Sequence, residues 1–195
     1  MNRHRLVWVS GDEPGIEDVR ITLDPSDIIS FNSAVVRLWE GQPLSAKYEL
    51  VCDAQWCVRS LRITAESEAM GERTVHLRAD GAGGWWDSAD QPIAALQGCI
   101  DVDIMFTPLT NTLPINRFAL APGESREITV AYISVPDLSV RPFSQRYTRL
   151  GDGDDGQRRY RYESLVSGFT AVLPIDDDGF VIEYPNLWRR VWPLM

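Results

Sequence analysis

Short β-forming segments recur along almost the whole chain, and this spacing constrains the fold more than any other feature. Turn signals separate the segments, among them Glu40–Pro43, Asp80–Gly84 and Asp176–Gly179. No long segment has a helical period. Short strands at intervals of roughly ten residues predict antiparallel sheets. The predicted fold class is therefore mainly β: a curved antiparallel sheet that forms a half-open barrel or roll, with a few short helical turns.

The predicted strands are Val19–Leu23, Ile28–Leu38, Leu44–Cys52, Trp56–Glu66, Arg73–Ala79, Ile100–Phe106, Arg126–Val135, Gln145–Leu150, Arg158–Glu163, Gly168–Leu173 and Phe180–Tyr184. Short helical turns are predicted at Asp24–Asp27, Pro108–Leu113 and Leu187–Val191, with Pro114 preventing continuation of the second.

The bulk composition is that of an ordinary globular protein. At 195 residues, with 44% hydrophobic residues, the chain can bury a sizeable core, and we expect a single domain over residues 1–195. A net charge of −9 argues against nucleic acid or an anionic membrane as the main partner. No signal peptide or membrane-spanning segment is recognisable. Three cysteines, an odd number, predict reduced thiols and a cytoplasmic location.

Two carboxylates stand out within the predicted strand Ile100–Phe106. Apolar and acidic side chains alternate there, so that Asp101 and Asp103 share one face of the strand, about 6–7 Å apart. They could hydrogen-bond a ligand at a pocket mouth, act as an acid/base pair, or accept hydrogen bonds from Arg117, Arg149 or backbone amides in a purely structural network.

A Pro-bounded polar corner follows this strand. Thr107 can cap a turn that begins at Pro108, and Asn111 tolerates left-handed backbone geometry. The local chemistry therefore builds a defined corner without needing a ligand. Thr110, Asn111 and Arg117 are the polar groups of the corner best suited to contact a head group.

Aromatic residues and cysteines supply the remaining candidates. Trp85 and Trp86 lie on opposite faces of one predicted strand, and an apolar cavity with Trp and Tyr at its rim would suit an amphipathic ligand. Cys52, Cys57, Cys99 and His76 are four possible zinc ligands, but their spacing matches no common zinc motif. We expect buried thiols, no metal and no cofactor.

The order of several motifs resembles one bacterial family, the "putative glycolipid-binding" proteins, formerly a domain of unknown function. The resemblance is carried by Tyr48–Leu50 with Asp53, Trp56 and Arg59, and by Asp80–Trp85, Asp101–Ile104, Thr107–Pro114, Val135–Leu138, Gln145–Thr148, Tyr160–Tyr162 and Asp178–Pro185. The family pattern commonly has two neighbouring arginines after Pro114 and Ile115. This chain departs from the pattern at the first of those positions, which is Asn116.

The resemblance implies a β-rich fold, similar to the curved half-barrels of bacterial lipoprotein carriers. It also implies non-catalytic binding of an amphipathic small molecule, either a glycolipid or a fatty-acyl compound. On that hypothesis the polar head contacts six residues: Asp101, Asp103, Asn111, Arg117, Gln145 and Tyr147. The alternatives are an enzyme acting on a sugar-like metabolite through Asp101 and Asp103, and a structural or partner-binding protein.

Overall fold

The computed structural model describes residues 2–24 and 28–193, which form mainly β-strands. Within these ranges the strands are β1 (Asn2–Ser10), β2 (Gly15–Leu23), β3 (Ile29–Trp39), β4 (Gln42–Cys52), β5 (Val58–Ser67), β6 (Gly71–Ala79), β7 (Trp85–Trp86), β8 (Val102–Ile104), β9 (Ser125–Ile133), β10 (Val140–Arg149), β11 (Arg158–Ser164), β12 (Thr170–Ile175), β13 (Glu183–Tyr184) and β14 (Trp188–Trp192).

Nine of the strands form one long sheet in the order β13-β14-β1-β2-β3-β4-β5-β6-β7. Every pairing in it is antiparallel, and the sheet curls into a half-barrel. From β1 to β6 the strands lie next to one another in sequence order. The predicted fold class is confirmed.

The other five strands form a second sheet in the order β12-β11-β10-β9-β8. Three of its pairings are antiparallel, but β8 runs parallel to β9, with Asp103 opposite Tyr132. A parallel pair needs a crossover connection rather than a hairpin, and the polar corner and its helix supply that connection. The pairing places Asp103 and Tyr132 on the same face of this sheet.

Alternation along the strands produces a core that joins both sheets. In β3 the buried side chains are at every second position from Ile29 to Val35, and β4 repeats the pattern from Leu44 to Cys52. Apart from Val130 and Phe143, the buried apolar residues of the two sheets belong to one contiguous cluster. Burial of such side chains contributes about 1.5–3 kcal/mol each, so this shared core is what holds the two sheets together.

The predicted helical turn at Pro108–Leu113 is a 3-10 helix at Leu109–Asn111, and it continues into a short α-helix, α1 (Thr112–Phe118). The prediction that Pro114 prevents continuation of this helical turn is wrong, because α1 includes Pro114. Pro114 lies in the first turn of α1, where backbone N–H groups have no partner within the helix, so the missing donor costs little. A second 3-10 helix spans Ala94–Leu96.

The predicted helical turn at Leu187–Val191 is also wrong, because this segment is strand β14, paired with β1 and β13. A spacing of four residues places Trp188 and Trp192 on one face of a strand as well as of a helix. The segment is a strand because it pairs with the edge of β1. The turn predicted at Asp24–Asp27 falls mostly on residues 25–27, which lie outside the described residues.

Candidate functional site

A cavity of about 280 Å³ lies between the two sheets. Residues that are far apart in the sequence line it, from the turn after β1 to strand β14. They comprise Asp12, Arg37, Trp39, Asp103, Met105, Thr107, Asn111, Tyr132, Phe143, Tyr162, Ser164, Ser167, Phe169, Tyr184, Leu187 and Trp188. The cavity therefore exists only when both sheets and the polar corner are in place.

Aromatic side chains form much of the cavity wall. Tyr162 contacts Tyr184 edge-on with ring centroids 6.2 Å apart, and Phe169 stacks on Tyr184 at the same distance. Across the wall, the Tyr132 and Phe143 rings stack at 4.7 Å. Two apolar side chains remain substantially exposed, Met105 at 39% and Phe169 at 45%. These two residues give the cavity an apolar surface open to solvent.

Arg37 supplies a buried cation that already has its partner. Its guanidinium donates hydrogen bonds to both carboxylate oxygens of Asp12, at 3.0 and 2.9 Å, and to the backbone carbonyl of Leu38. The same group lies 5.2 Å from the ring of Trp39 and 5.4 Å from that of Trp188. Such cation–π contacts fix a guanidinium between two indoles, so Arg37 holds part of the wall together.

Of the two carboxylates predicted from the sequence, Asp103 is the one that lines the cavity. It accepts a hydrogen bond from the Gln145 side-chain amide at 2.5 Å and one from the Thr110 hydroxyl at 3.2 Å. Among the described residues, no ion pair to Asp103 is present. Burial raises the pKa of Asp103 to about 6, although both hydrogen bonds favour the charged form.

Asn111, Gln145 and Tyr147 form the polar network around Asp103. The Tyr147 hydroxyl donates to the Asn111 side-chain oxygen at 2.9 Å and also lies 3.4 Å from the Gln145 side-chain oxygen. Asn111 lines the cavity, whereas Gln145 and Tyr147 lie behind the lining and orient the groups in it. The structure thus brings together four of the six predicted site residues.

The other two, Asp101 and Arg117, form a separate pair away from the cavity. Asp101 is only 1% exposed, and the Arg117 guanidinium donates two hydrogen bonds to its carboxylate. Arg117 also packs against the ring of Phe118. Burial raises the pKa of Asp101, an effect that Arg117 opposes. This pair ties helix α1 to the strand region before β8.

A further buried carboxyl group, Glu17, escaped the sequence analysis. It is completely buried and accepts hydrogen bonds from Tyr48 at 2.6 Å, from Ser33 at 2.9 Å and from Thr107 at 2.7 Å. Burial raises the pKa of Glu17 to about 7. The contact with Thr107 links the nine-stranded sheet to the polar corner, because the Thr107 oxygen also accepts from the Leu109 backbone N–H.

The cysteines do not form a metal centre. Cys52 and Cys99 are buried free thiols and Cys57 is a partly exposed one. Across residues 2–24 and 28–193, no group of three or more His, Cys, Asp or Glu side chains is arranged to hold a metal ion.

Several cavity residues, and the buried Glu17 outside the cavity, were not predicted from the sequence. Arg37 continues the inward alternation of β3, and a charged residue at such a position is a recognisable signal for a paired or functional group. Glu17 gives the same signal two residues before the buried Val19 in β2. Tyr132 and Phe169 carry no comparable local signal, because their role depends on which strands pair.

Comparisons with known proteins identify the family and the fold of the chain. The family model described as "Putative glycolipid-binding" matches residues 5–190. A DUF1089 family protein of known structure from Pseudomonas aeruginosa is 39% identical, with a TM-score of 0.82 over 91% of this chain and 92% of that one. A β-barrel-like DUF1849 protein from Brucella abortus is 10% identical, with a TM-score of 0.55 over 96% and 93% of the two chains, and shares the fold alone.

No curated protein matches the chain. Among the described residues, no helix is long and apolar enough to cross a membrane. The family match spans nearly the whole chain and includes both sheets and the cavity between them. The chain therefore belongs to the putative glycolipid-binding family, formerly DUF1089.

Proposed function

We propose that this protein binds an amphipathic small molecule, a glycolipid or fatty-acyl compound, without catalysing a reaction. The observation that carries the proposal is the composition of the cavity, which combines an aromatic wall with one localised polar network. Ligand sites are typically apolar concavities with a few well-placed polar groups. Family membership supports the same role, because the family description names glycolipid binding.

The cavity volume limits what can be enclosed. The volume of about 280 Å³ lies just below the range of about 300–1,000 Å³ usual for small-molecule sites. We infer that the cavity takes the head group and the first part of an apolar chain. The rest of the chain lies over the exposed side chains of Met105 and Phe169. Each methylene group buried there contributes about 0.8 kcal/mol.

The predicted site residues take different roles in this proposal. Asp103 and Asn111 contact the polar head directly, since both line the cavity. Gln145 and Tyr147 hold those two side chains in place through their hydrogen bonds. Asp101 and Arg117 support the corner from which Asn111 projects.

Native mass spectrometry, combined with solvent extraction of the purified protein, tests the proposal. The expected result is a co-purifying amphipathic molecule, or one that binds on addition with a stoichiometry of one. A variant with Phe169→Ser and Tyr184→Ser should retain less of it. As a matched control, Val172→Ser changes an exposed apolar residue of β12 that does not line the cavity. Equal retention by both variants, or no binding of any lipid under gentle conditions, would contradict the proposal.

The acid/base alternative has one observation in its favour, the raised pKa of Asp103. A general acid and base must both reach the reacting bond. Of the two predicted carboxylates only Asp103 lines the cavity, while Asp101 is held by Arg117. The geometry therefore favours binding over catalysis by this pair. The cytoplasmic location and the absence of a nucleic-acid partner stay predictions from composition.

A further inference from the structure

We propose that the head group facing Asp103 is a hydrogen-bond donor without negative charge, either a hydroxyl group or an ammonium group. This inference rests on the proposed binding function and assigns a class of head group to it. It makes Asp103 the residue that determines specificity, through three features of the cavity: its free acceptors, its charge balance and its aromatic wall.

The polar network leaves acceptors free on the cavity side. An ionised carboxylate offers about four acceptor positions, and Gln145 and Thr110 fill two of those on Asp103. The neighbouring Asn111 side-chain oxygen already accepts one hydrogen bond, from the Tyr147 hydroxyl. A ligand that enters this part of the cavity therefore meets unfilled acceptors on Asp103, which a hydroxyl or ammonium group would satisfy and a phosphate or carboxylate oxygen would not.

The charge balance of the lining points the same way. The charged residues in the lining are Asp12, Arg37 and Asp103, and the single cation is bound by both oxygens of Asp12. Arg141 stacks on the rings of Tyr132 and Phe143 at 5.1 and 5.0 Å, but it is exposed at the rim, where solvent screens its charge. The inner cavity thus carries one carboxylate in excess, which repels an anionic head group.

The aromatic wall is compatible with both kinds of donor. Tyr132, Tyr162, Tyr184 and Phe169 present ring faces and edges near the network. Ring faces attract ammonium groups and also pack against the apolar faces of sugar rings. The wall therefore accepts a neutral polyhydroxyl head or a cationic one, and Asp103 excludes the anionic one.

Three probes with the same octyl chain separate these possibilities: octyl β-glucoside, octylammonium and octyl sulfate. Binding is measured by isothermal titration calorimetry at pH 8, where Asp103 is ionised, and at concentrations below micelle formation. The glucoside or the ammonium compound is expected to bind at least tenfold more tightly than the sulfate. Whichever of the two binds more tightly identifies the source of the donor.

Asp103→Asn removes the charge while keeping the shape of the side chain. It should reduce the ratio of affinities between the preferred probe and octyl sulfate to less than about threefold. Glu66→Gln is the matched control, because it removes one negative charge from an exposed position of β5 outside the cavity. Glu66→Gln should bind octyl sulfate as much more weakly than the preferred probe as the unaltered protein does. The comparison of the three probes on the unaltered protein does not depend on either variant folding.

The outcomes distinguish the inference from the function on which it rests. Octyl sulfate that binds as tightly as the other probes overturns the inference and leaves amphiphile binding in place. A full preference retained in a folded Asp103→Asn variant also overturns it. If none of the three probes binds, the proposed function fails and the inference fails with it.

Discussion

Two carboxyl groups buried in this protein, Glu17 and Asp103, have similar chemistry and different surroundings. Each accepts hydrogen bonds from neutral side chains, and burial raises the pKa of each, to about 7 and about 6. The three hydroxyl groups around Glu17 leave it closed off, whereas Asp103 has two donors and a cavity beside it. Burial alone therefore does not distinguish the two acids, and what sets Asp103 apart from Glu17 is its position in the lining of the cavity.

The largest effect is expected at a third buried acid, Asp101, which is paired with the cation Arg117. Arg117→Ala leaves the carboxylate of Asp101 buried without its partner, and we expect a loss of about 3–5 kcal/mol in the free energy of unfolding, measured by urea denaturation. Arg117→Lys should lose less because it keeps the charge.

The double variant Asp101→Asn, Arg117→Ala provides the control for that prediction, because it has no unpaired charge to bury. It should be more stable than Arg117→Ala alone. A double variant that is no more stable than Arg117→Ala would show that the cost comes from lost packing against Phe118 instead.

The closed environment of Glu17 should appear as a pH dependence of stability. Because its folded-state pKa is raised from 4.5 to about 7, the folded protein holds this proton more tightly than the unfolded chain does. The stabilising contribution is therefore complete below pH 4.5 and is lost as the pH rises through 7. Between pH 5 and 8 the unaltered protein should lose about 2–3 kcal/mol more than Glu17→Gln.

Chemical denaturation at a series of pH values measures this difference, and ligand binding gives the contrast with Asp103. Octyl β-glucoside should bind Glu17→Gln with unchanged affinity, since Glu17 does not line the cavity. Parallel stability curves for the two proteins would mean that Glu17 does not titrate in this range.

Asp103 should contribute a pH dependence of stability with the same sign as that of Glu17 but a smaller size. In addition, a ligand bound in the cavity should change the pKa of Asp103. The contribution of Asp103 to stability is present below pH 3.8 and is lost as the pH rises through about 6. A bound cationic ligand should lower its pKa, because an opposite charge favours the ionised form. A titration of the Asp103 carboxyl by NMR, with and without octylammonium, measures the shift; an unchanged pKa would place the ligand elsewhere.

The smallest expected effect concerns the apolar edge of the cavity. Phe169→Ala should weaken binding of octyl β-glucoside up to about tenfold, since an aromatic contact contributes about 0.5–1.5 kcal/mol. Its stability should change little, because the side chain is already exposed. Val172→Ala, on the same hairpin but outside the cavity, is the matched control, and equal weakening by both would indicate a nonspecific effect.

The sequence predicted the sheets better than it predicted the site, for physical reasons. Alternation in β3 and β4 is a local property and marks the buried face directly. The same logic placed Asp101 and Asp103 on one strand, but β8 spans Val102–Ile104 and includes only Asp103 of the two. Their different partners, Arg117 and Gln145, come from the helix after the corner and from a strand beyond it, and no local pattern encodes which of these each carboxylate meets.

The errors have similar causes. Trp188 and Trp192 fit a helix and a strand equally well by spacing, and only pairing with β1 decides the outcome. Strand β1 itself was not predicted, although its buried Leu6 and Trp8 alternate. Tyr132 and Tyr162 entered no predicted site, because their shared wall requires the order of strands within the second sheet.

The pairing of β1 with β14 has a consequence for how the protein reaches its folded state. Ser10 pairs with Trp188, so this contact joins segments that are almost the full length of the described chain apart. Such nonlocal pairings form slowly, because a long loop must close before the contact stabilises anything. Trp188 also completes the cavity wall around Arg37. In a refolding experiment, the capacity to bind ligand should therefore emerge after most of the sheet has formed, in the last kinetic phase.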